Sequence, residues 1–230
     1  MSFAVMFQRA LPAGVCVAVS LPEQDDFATP AGLHPDEVAF VHGSPPARRR
    51  TFFGGRVALR AAMAALGAGA ADTAPAILST PRGAPAMAPG FVGSVTHKRE
   101  LAVAIVARAE PTPRATLGID VEISRSLRAD IAPRVLTPGE QAALSDLAGE
   151  ARDAAVLLRF ALKEAIYKAL DPWVQRLISF QEVEIVTAPE GGAWRARLAL
   201  ARGEGPFSID LYDASGDGFV LVAAAVERGP

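Results

Sequence analysis

An α+β fold is predicted by three observations: a helical-period segment in each half of the chain, short alternating segments around it, and neighbouring strands joined by tight polar corners, as antiparallel hairpins require. With 230 residues, 50% apolar and 21% charged, the chain can build a full core in one domain or two small ones.

"GVCVAVSLP" (14–22) is a first strand, and "HPDEVAFV" (34–41) opens a helical region through a proline, which suits a helix start. A second helix follows, with Phe52, Leu59, Met63 and Leu66 near one side and Arg49, Arg56 and Arg60 near another. Gly67, Gly69 and Pro75 stop it. "PAILSTPRGAPAMAPG" (75–90), crowded with proline and glycine, is short strand and turn. "FVGSVTHKRELAVAIVAR" (91–108) is two strands around the corner "THKRE", and "AEPTPRA" (109–115) is the best linker between halves. The second half opens with the strand "ATLGIDVEIS" (115–124). Thr137 and Glu140 have capping-box spacing, so a helix begins there, and another covers about 151–170, ending before Asp171-Pro172. "FQEVEIVT", "AWRARLAL", "FSIDLYDA" and "GFVLVAAAV" follow as strands, the last two joined through "ASGDG" as a hairpin. No residue-level repeat is evident, so any symmetry between halves is expected in the fold alone.

The longest apolar runs, near 61–71 and 220–226, fall short of the roughly 18 residues of a membrane span. The start lacks a basic segment before an apolar one, so no secretory signal is expected, and cytoplasm is the default. The lone Cys16 excludes an intramolecular disulfide or a Cys-rich zinc site. A net charge of -2 gives no support for nucleic-acid binding through bulk charge. Yet residues 48–60 hold five arginines and no acid, an arrangement that serves either a solvated face or a polyanionic ligand.

In "LGIDVE", Leu117, Ile119 and Val121 alternate with Gly118, Asp120 and Glu122, so the two carboxylates share one face of a strand. Close carboxylates repel, and burial would raise their pKa values further, so a cation is expected beside them. A hard divalent ion such as Mg²⁺ takes several oxygens, so a third acid is sought. Glu164 in "RFALKEAIYKAL" is the candidate, one helical turn from Lys168. Taken alone, that pair is equally an exposed helix ion pair, stabilising by about 0.3 to 0.5 kcal/mol.

Four blocks in this order resemble the 4'-phosphopantetheinyl transferases of the Sfp superfamily, nearest the enterobactin-synthetase-type subgroup: "RRTFFGGRVALRAAMAALG", "PRGAPAMAPGFVGSVTHKRELAVAIV", "LGIDVE" and "FALKEAIYKAL". The resemblance runs from about residue 32 to about 186. It implies transfer of the phosphopantetheine arm of coenzyme A to a serine of an apo acyl or peptidyl carrier protein, with Mg²⁺ as cofactor and adenosine 3',5'-bisphosphate as product. It implies Asp120, Glu122 and Glu164 as metal ligands, Glu164 and Lys168 as catalytic groups, and Arg49, Arg56, Arg82, His97 and Lys163 as coenzyme A contacts. The fold it implies is a pseudo-dimer of two similar α+β halves, each a small antiparallel sheet on a long helix, spanning 1–112 and 116–230. Coenzyme A is expected in the cleft between them, and the carrier near 125–137. A monomer is expected, in carrier activation for polyketide or nonribosomal peptide synthesis, with neither nucleic acid nor membrane as partner. Two departures stand out: Phe160 where tryptophan is frequent, and Arg82 where the turn often has lysine. The rival readings are another Mg²⁺-dependent phosphoryl transferase or nuclease, and a non-catalytic module binding coenzyme A.

Overall fold

A computed structural model describes residues 3–24, 26–110, 114–124, 130–187, 193–216 and 218–229. The chain opens with the hairpin β1 (Val5–Leu11) and β2 (Gly14–Ser20), then α1 (Pro35–Phe40), the long α2 (Pro46–Ala65) and the short α3 (Ala70–Thr73). A second hairpin, β3 (Phe91–His97) and β4 (Leu101–Arg108), completes a four-stranded antiparallel sheet in the order β1-β2-β4-β3.

Next come β5 (Ala115–Ile123), α4 (Ala132–Val135), α5 (Pro138–Ala143), the long α6 (Gly149–Val174) and a 3-10 turn (Phe180–Glu182). The strands β6 (Val183–Thr187) and β7 (Trp194–Leu198) pair with each other. The hairpin β8 (Phe207–Asp213) and β9 (Phe219–Arg228) joins β5 in a three-stranded antiparallel sheet, order β5-β9-β8. The class is therefore α+β, as the alternation of patterns predicts.

Period-two alternation fixes the layers. Val17, Val19, Ala104 and Val106 meet α2 through Ala58, Leu59, Ala62 and Met63. Their neighbours Cys16, Ala18, Val103 and Ile105 face the other way, against Leu117, Ile119, Val121, Leu221 and Ala223. Val222 and Ala224 then meet α6 through Ala161, Leu162, Ala165 and Ile166. The two sheets thus lie against each other with a long helix outside each. Gly118 lets α6 rest on β5, because a Cβ there would collide with the Ala165 carbonyl.

Three sequence expectations need correction. β1 is a strand where none was expected; it lies at a sheet edge, where exposed polar and apolar residues mix and the alternation is blurred. α6 runs on through Pro172 to Val174 and closes at Gln175, whose N–H still donates to the Asp171 carbonyl and whose left-handed backbone then turns the chain out of the helix. A proline in the last turn removes one hydrogen bond but leaves little helix after it to disrupt. The 75–90 segment holds an isolated bridge between Ser79 and Pro85 instead of a strand.

The expectation of symmetry in fold alone also changes. One constant offset relates Pro35 to Pro138, Glu37 to Glu140, Pro46 to Gly149, and Arg60 to Lys163. Glu37 is fully buried, accepts from the His34 and Ile77 N–H groups, and pairs with Arg60 at 2.8 Å. Glu140 is equally buried, accepts from the Thr137 and Ile185 N–H groups, and pairs with Lys163 at 2.6 Å. A Leu-x-Pro-x-Glu motif, residues 33–37 and 136–140, carries this repeat. The proposed boundary at 113–115 touches residues outside those described.

Candidate active site

The acid-bearing strand β5 meets the edge strand β3 of the other sheet side chain by side chain. Ser94 Oγ accepts from the Ile119 N–H at 3.3 Å, Thr96 Oγ1 donates to Asp120 Oδ1 at 2.9 Å, and Lys98 Nζ donates to Glu122 Oε1 at 2.5 Å. Ser94 and Thr96 share one face of β3 because of the strand period, and Lys98, just past the end of the strand, continues that spacing. From α6, Lys168 Nζ donates to Asp120 Oδ1 and to the Ile119 carbonyl, each at 2.8 Å. Thr116 Oγ1, donating to the Ala169 carbonyl at 2.6 Å, anchors the same helix to β5.

Asp120 is 4% exposed, and its Oδ2 has no hydrogen-bond partner among the described residues. Burial, then the Asp120 charge, raises the Glu164 pKa against the opposing pull of Lys168. Burial likewise raises that of Glu122, although Lys98 works the other way. Asp120, Glu122 and Glu164 are therefore one electrostatic cluster, and the cations facing it are Lys98 and Lys168. Among the described residues no three His, Cys, Asp or Glu side chains are gathered closely enough to hold a metal ion. The donors nevertheless fit a hard cation: an unpartnered buried carboxylate oxygen and a helix carboxyl whose ionisation its neighbours disfavour.

A cleft of about 760 Å³ lies alongside, lined from one side by Arg82, Met87, Phe91 and Val95 and from the other by Glu164, Tyr167, Lys168 and Phe180. Of the residues singled out from sequence, Glu164, Lys168 and Arg82 line it directly. Arg82 forms a two-toothed pair with Asp171, which also lines the cleft, its Nη2 2.6 Å from Oδ1. His97 is exposed at the end of β3; its pKa is lowered by the protein packed around it, then by Arg48, Lys168 and Lys98.

Two of the sequence-based contacts are placed elsewhere. Lys163 has no exposed surface and donates to Glu140, to the Val135 carbonyl at 2.7 Å and to the Phe180 carbonyl at 3.0 Å. Neighbouring helix positions point about 100° apart, so Glu164 can face the cleft while Lys163 faces the core. Arg56 is buried, donating from Nε to the Ile77 carbonyl and from Nη2 to Ser79 Oγ at 3.0 Å, with its guanidinium 4.0 Å over the Phe52 ring. Burial pushes its pKa down to about 10. Arg49 stands 5.8 Å over the Phe27 ring. The arginine stripe is thus partly framework.

Arg48, passed over in the sequence, is the helix arginine that acts on His97. Tyr167 was missed as well: it lines the cleft, its hydroxyl has no partner among the described residues, and burial raises its pKa. Its place one residue before Lys168 was the available signal. The carrier-facing stretch expected at 125–137 lies partly outside the described residues, which resume at Asp130.

Residues 116–222 match the family model of the 4'-phosphopantetheinyl transferase superfamily, and residues 36–107 match that of the 4'-phosphopantetheinyl transferase N-terminal domain. The chain is 36% identical over 202 residues to the 4'-phosphopantetheinyl transferase Svp of Streptomyces mobaraensis, covering 84% of this chain and 78% of the relative. It is 34% identical over 235 residues to Npt of Nocardia iowensis, a protein of the same name class, covering 96% of this chain and 99% of the relative. A solved holo-(acyl-carrier-protein) synthase from Bacillus anthracis, in complex with CoA (3',5'-ADP), aligns with 49% of this chain and 96% of its own, at 22% identity and a TM-score of 0.41. No helix among the described residues is long and apolar enough to cross a membrane. On these matches the chain belongs to the 4'-phosphopantetheinyl transferase superfamily of enzymes.

Proposed function

We propose that this enzyme transfers the 4'-phosphopantetheine arm of coenzyme A to a serine of an apo acyl or peptidyl carrier protein, with Mg²⁺ as cofactor, releasing adenosine 3',5'-bisphosphate. The observation that carries this is the junction of β3, β5 and α6, where Asp120 Oδ2 is left unpartnered beside Glu164 and Lys168 on the rim of the cleft. Membership of the family supports the reaction class, and the junction supports this location for it.

Asp120 and Glu164 would hold the ion, and Glu122 would join them once Lys98 releases it or through water. When bound, the ion neutralises charge on the pyrophosphate. Lys168, positioned by the Ile119 carbonyl and Asp120, presents a fixed cation to the leaving phosphate. Raised in pKa by burial and its acidic neighbours, Glu164 is suited to take the proton of the attacking serine. Arg48 and His97, together with Arg82 once it exchanges Asp171 for a phosphate, would hold the other anionic end of coenzyme A. Tyr167, Phe180 and Val95 offer a largely apolar wall with one free hydroxyl to the pantetheine arm.

The two units would act as a pseudo-dimer with the cleft between them. The constant offset of capped helix, long helix and buried ion pair supports this arrangement. The enzyme would act as a cytoplasmic monomer in carrier activation for polyketide or nonribosomal peptide synthesis.

Mass spectrometry of apo carrier proteins incubated with the enzyme, coenzyme A and Mg²⁺ tests the reading. A phosphopantetheine increment on the carrier serine that disappears with a chelator is expected. Absence of that increment across acyl, peptidyl and fatty-acid carriers would overturn it.

A further inference from the structure

We propose that Lys163 and Glu140 are positioning residues that fix the Phe180 wall of the cleft, with Lys163 touching no part of the substrate; this rests on the transferase reading above. An ammonium has three N–H donors. Those of Lys163 are met by Glu140 Oε2 at 2.6 Å, the Val135 carbonyl at 2.7 Å and the Phe180 carbonyl at 3.0 Å, and the side chain has no exposed surface. Nothing is left to offer a pyrophosphate.

These contacts converge on the cleft. Phe180 starts the turn that borders it, and its ring lies 5.7 Å from Phe160 and 5.3 Å from Tyr167, both on α6. Glu140 extends the same node to the start of α5 through the Thr137 N–H and to β6 through the Ile185 N–H. One buried cation therefore ties α4, α5, β6 and the Phe180 wall to the turn of α6 that bears Glu164. Its counterpart, Glu37 with Arg60, also clamps an isoleucine N–H, but Ala61 follows Arg60 where Glu164 follows Lys163. The buried pair is thus common framework, and the second copy sits behind the Phe180 wall of the cleft.

Calorimetric titration of the full chain with coenzyme A and, separately, with adenosine 3',5'-bisphosphate separates wall from phosphate. Parent, Lys163→Met, and the neutral pair Lys163→Met with Glu140→Gln are compared, the pair because a lone Met strands a buried carboxylate. Phe180→Ala alone supplies a route that leaves the node intact, and it is also added to the neutral pair. The folded variants are expected to lose about tenfold in affinity for coenzyme A while binding of the bisphosphate changes by less than about twofold. Adding Phe180→Ala to the neutral pair should cost nothing further, since both act on one wall. Equal losses for both ligands would mean direct phosphate contact, and an unchanged coenzyme A affinity in the folded neutral pair would mean no role in the wall; either overturns the proposal. A parent chain that binds neither ligand would instead remove the transferase reading, and this inference with it.

Discussion

Thr96 Oγ1 donates to Asp120 Oδ1 at 2.9 Å, from the edge strand of one sheet to the acid-bearing strand of the other, and Lys168 reaches the same oxygen at 2.8 Å. One oxygen of the carboxylate is held from both β3 and α6, while the other has no hydrogen-bond partner among the described residues. Thr96→Val keeps the shape and removes the donor. Transfer is expected to fall about tenfold, chiefly in kcat, in keeping with roughly 1.5 kcal/mol for a hydrogen bond to a charged group. Steady-state kinetics at saturating coenzyme A would measure it; a loss confined to KM would contradict this positioning role.

Glu164→Gln should separate activity from stability. The carboxyl's pKa is raised by burial and by Asp120, so its ionised form is disfavoured in the folded chain. A raised folded-state value means the native state resists losing that proton, and stability declines as pH rises through the Glu164 titration. Removing the acid should therefore leave the melting temperature of the metal-free protein near pH 7 unchanged or higher, while transfer falls by at least about a hundredfold. Thermal unfolding beside a carrier assay reads both. A marked drop in melting temperature would point to a structural role.

Arg48 and Arg56 should behave in opposite ways. Arg56→Ala removes donors to the Ile77 carbonyl and Ser79 and the stacking on Phe52, so roughly 2 to 4 kcal/mol of stability is expected to go, measured by urea unfolding. Arg48→Ala should leave unfolding unchanged and raise KM for coenzyme A about five- to tenfold. If the two patterns were exchanged, the assignment of framework and coenzyme A contact would be reversed.

Arg176 dictates a prediction in acid. It pairs with Glu182 and Glu204, each at 2.6 Å, and those hydrogen bonds hold both carboxyls down at about 2, against an ordinary 4.5. With folded-state values below unfolded ones, the contribution is fully present above about pH 4.5 and is lost as pH falls toward 2. Arg176→Ala should flatten the loss of stability across that window. Denaturant unfolding at stepwise pH would show parallel curves if the network were idle.

Much of this architecture was legible because it rests on local rules. The face shared by Asp120 and Glu122 follows from period two, and the turn between Glu164 and Lys168 follows from helical spacing. The cap at Thr137 was visible for the same reason: its side chain accepts from the Glu140 N–H at 3.2 Å, as the motif requires. What was not legible depends on where long side chains go. Arg56 and Lys163 carry the charges of ligand-binding residues, yet both reach carbonyls brought in by distant segments, Ile77 for one, Val135 and Phe180 for the other. Arg48 differs from Arg49 only by one step of the helix, and which of them bears on the charge of His97 depends on how α2 is rotated upon its sheet. The paired Leu-x-Pro-x-Glu motifs are short enough to pass as chance until the two buried carboxylates are found doing the same work.

Gly118 carries a consequence for tolerance to change. The main chain of α6 lies against the main chain of β5 there, so the separation between the strand that holds Asp120 and the helix that holds Glu164 is set by backbone touching backbone. A helix propped on large side chains would rise or sink with every altered methyl group. Here the core around Ile166 and Val222 can drift among aliphatic residues while the spacing of the acids stays put. The chemistry is insulated from the turnover of its own foundations.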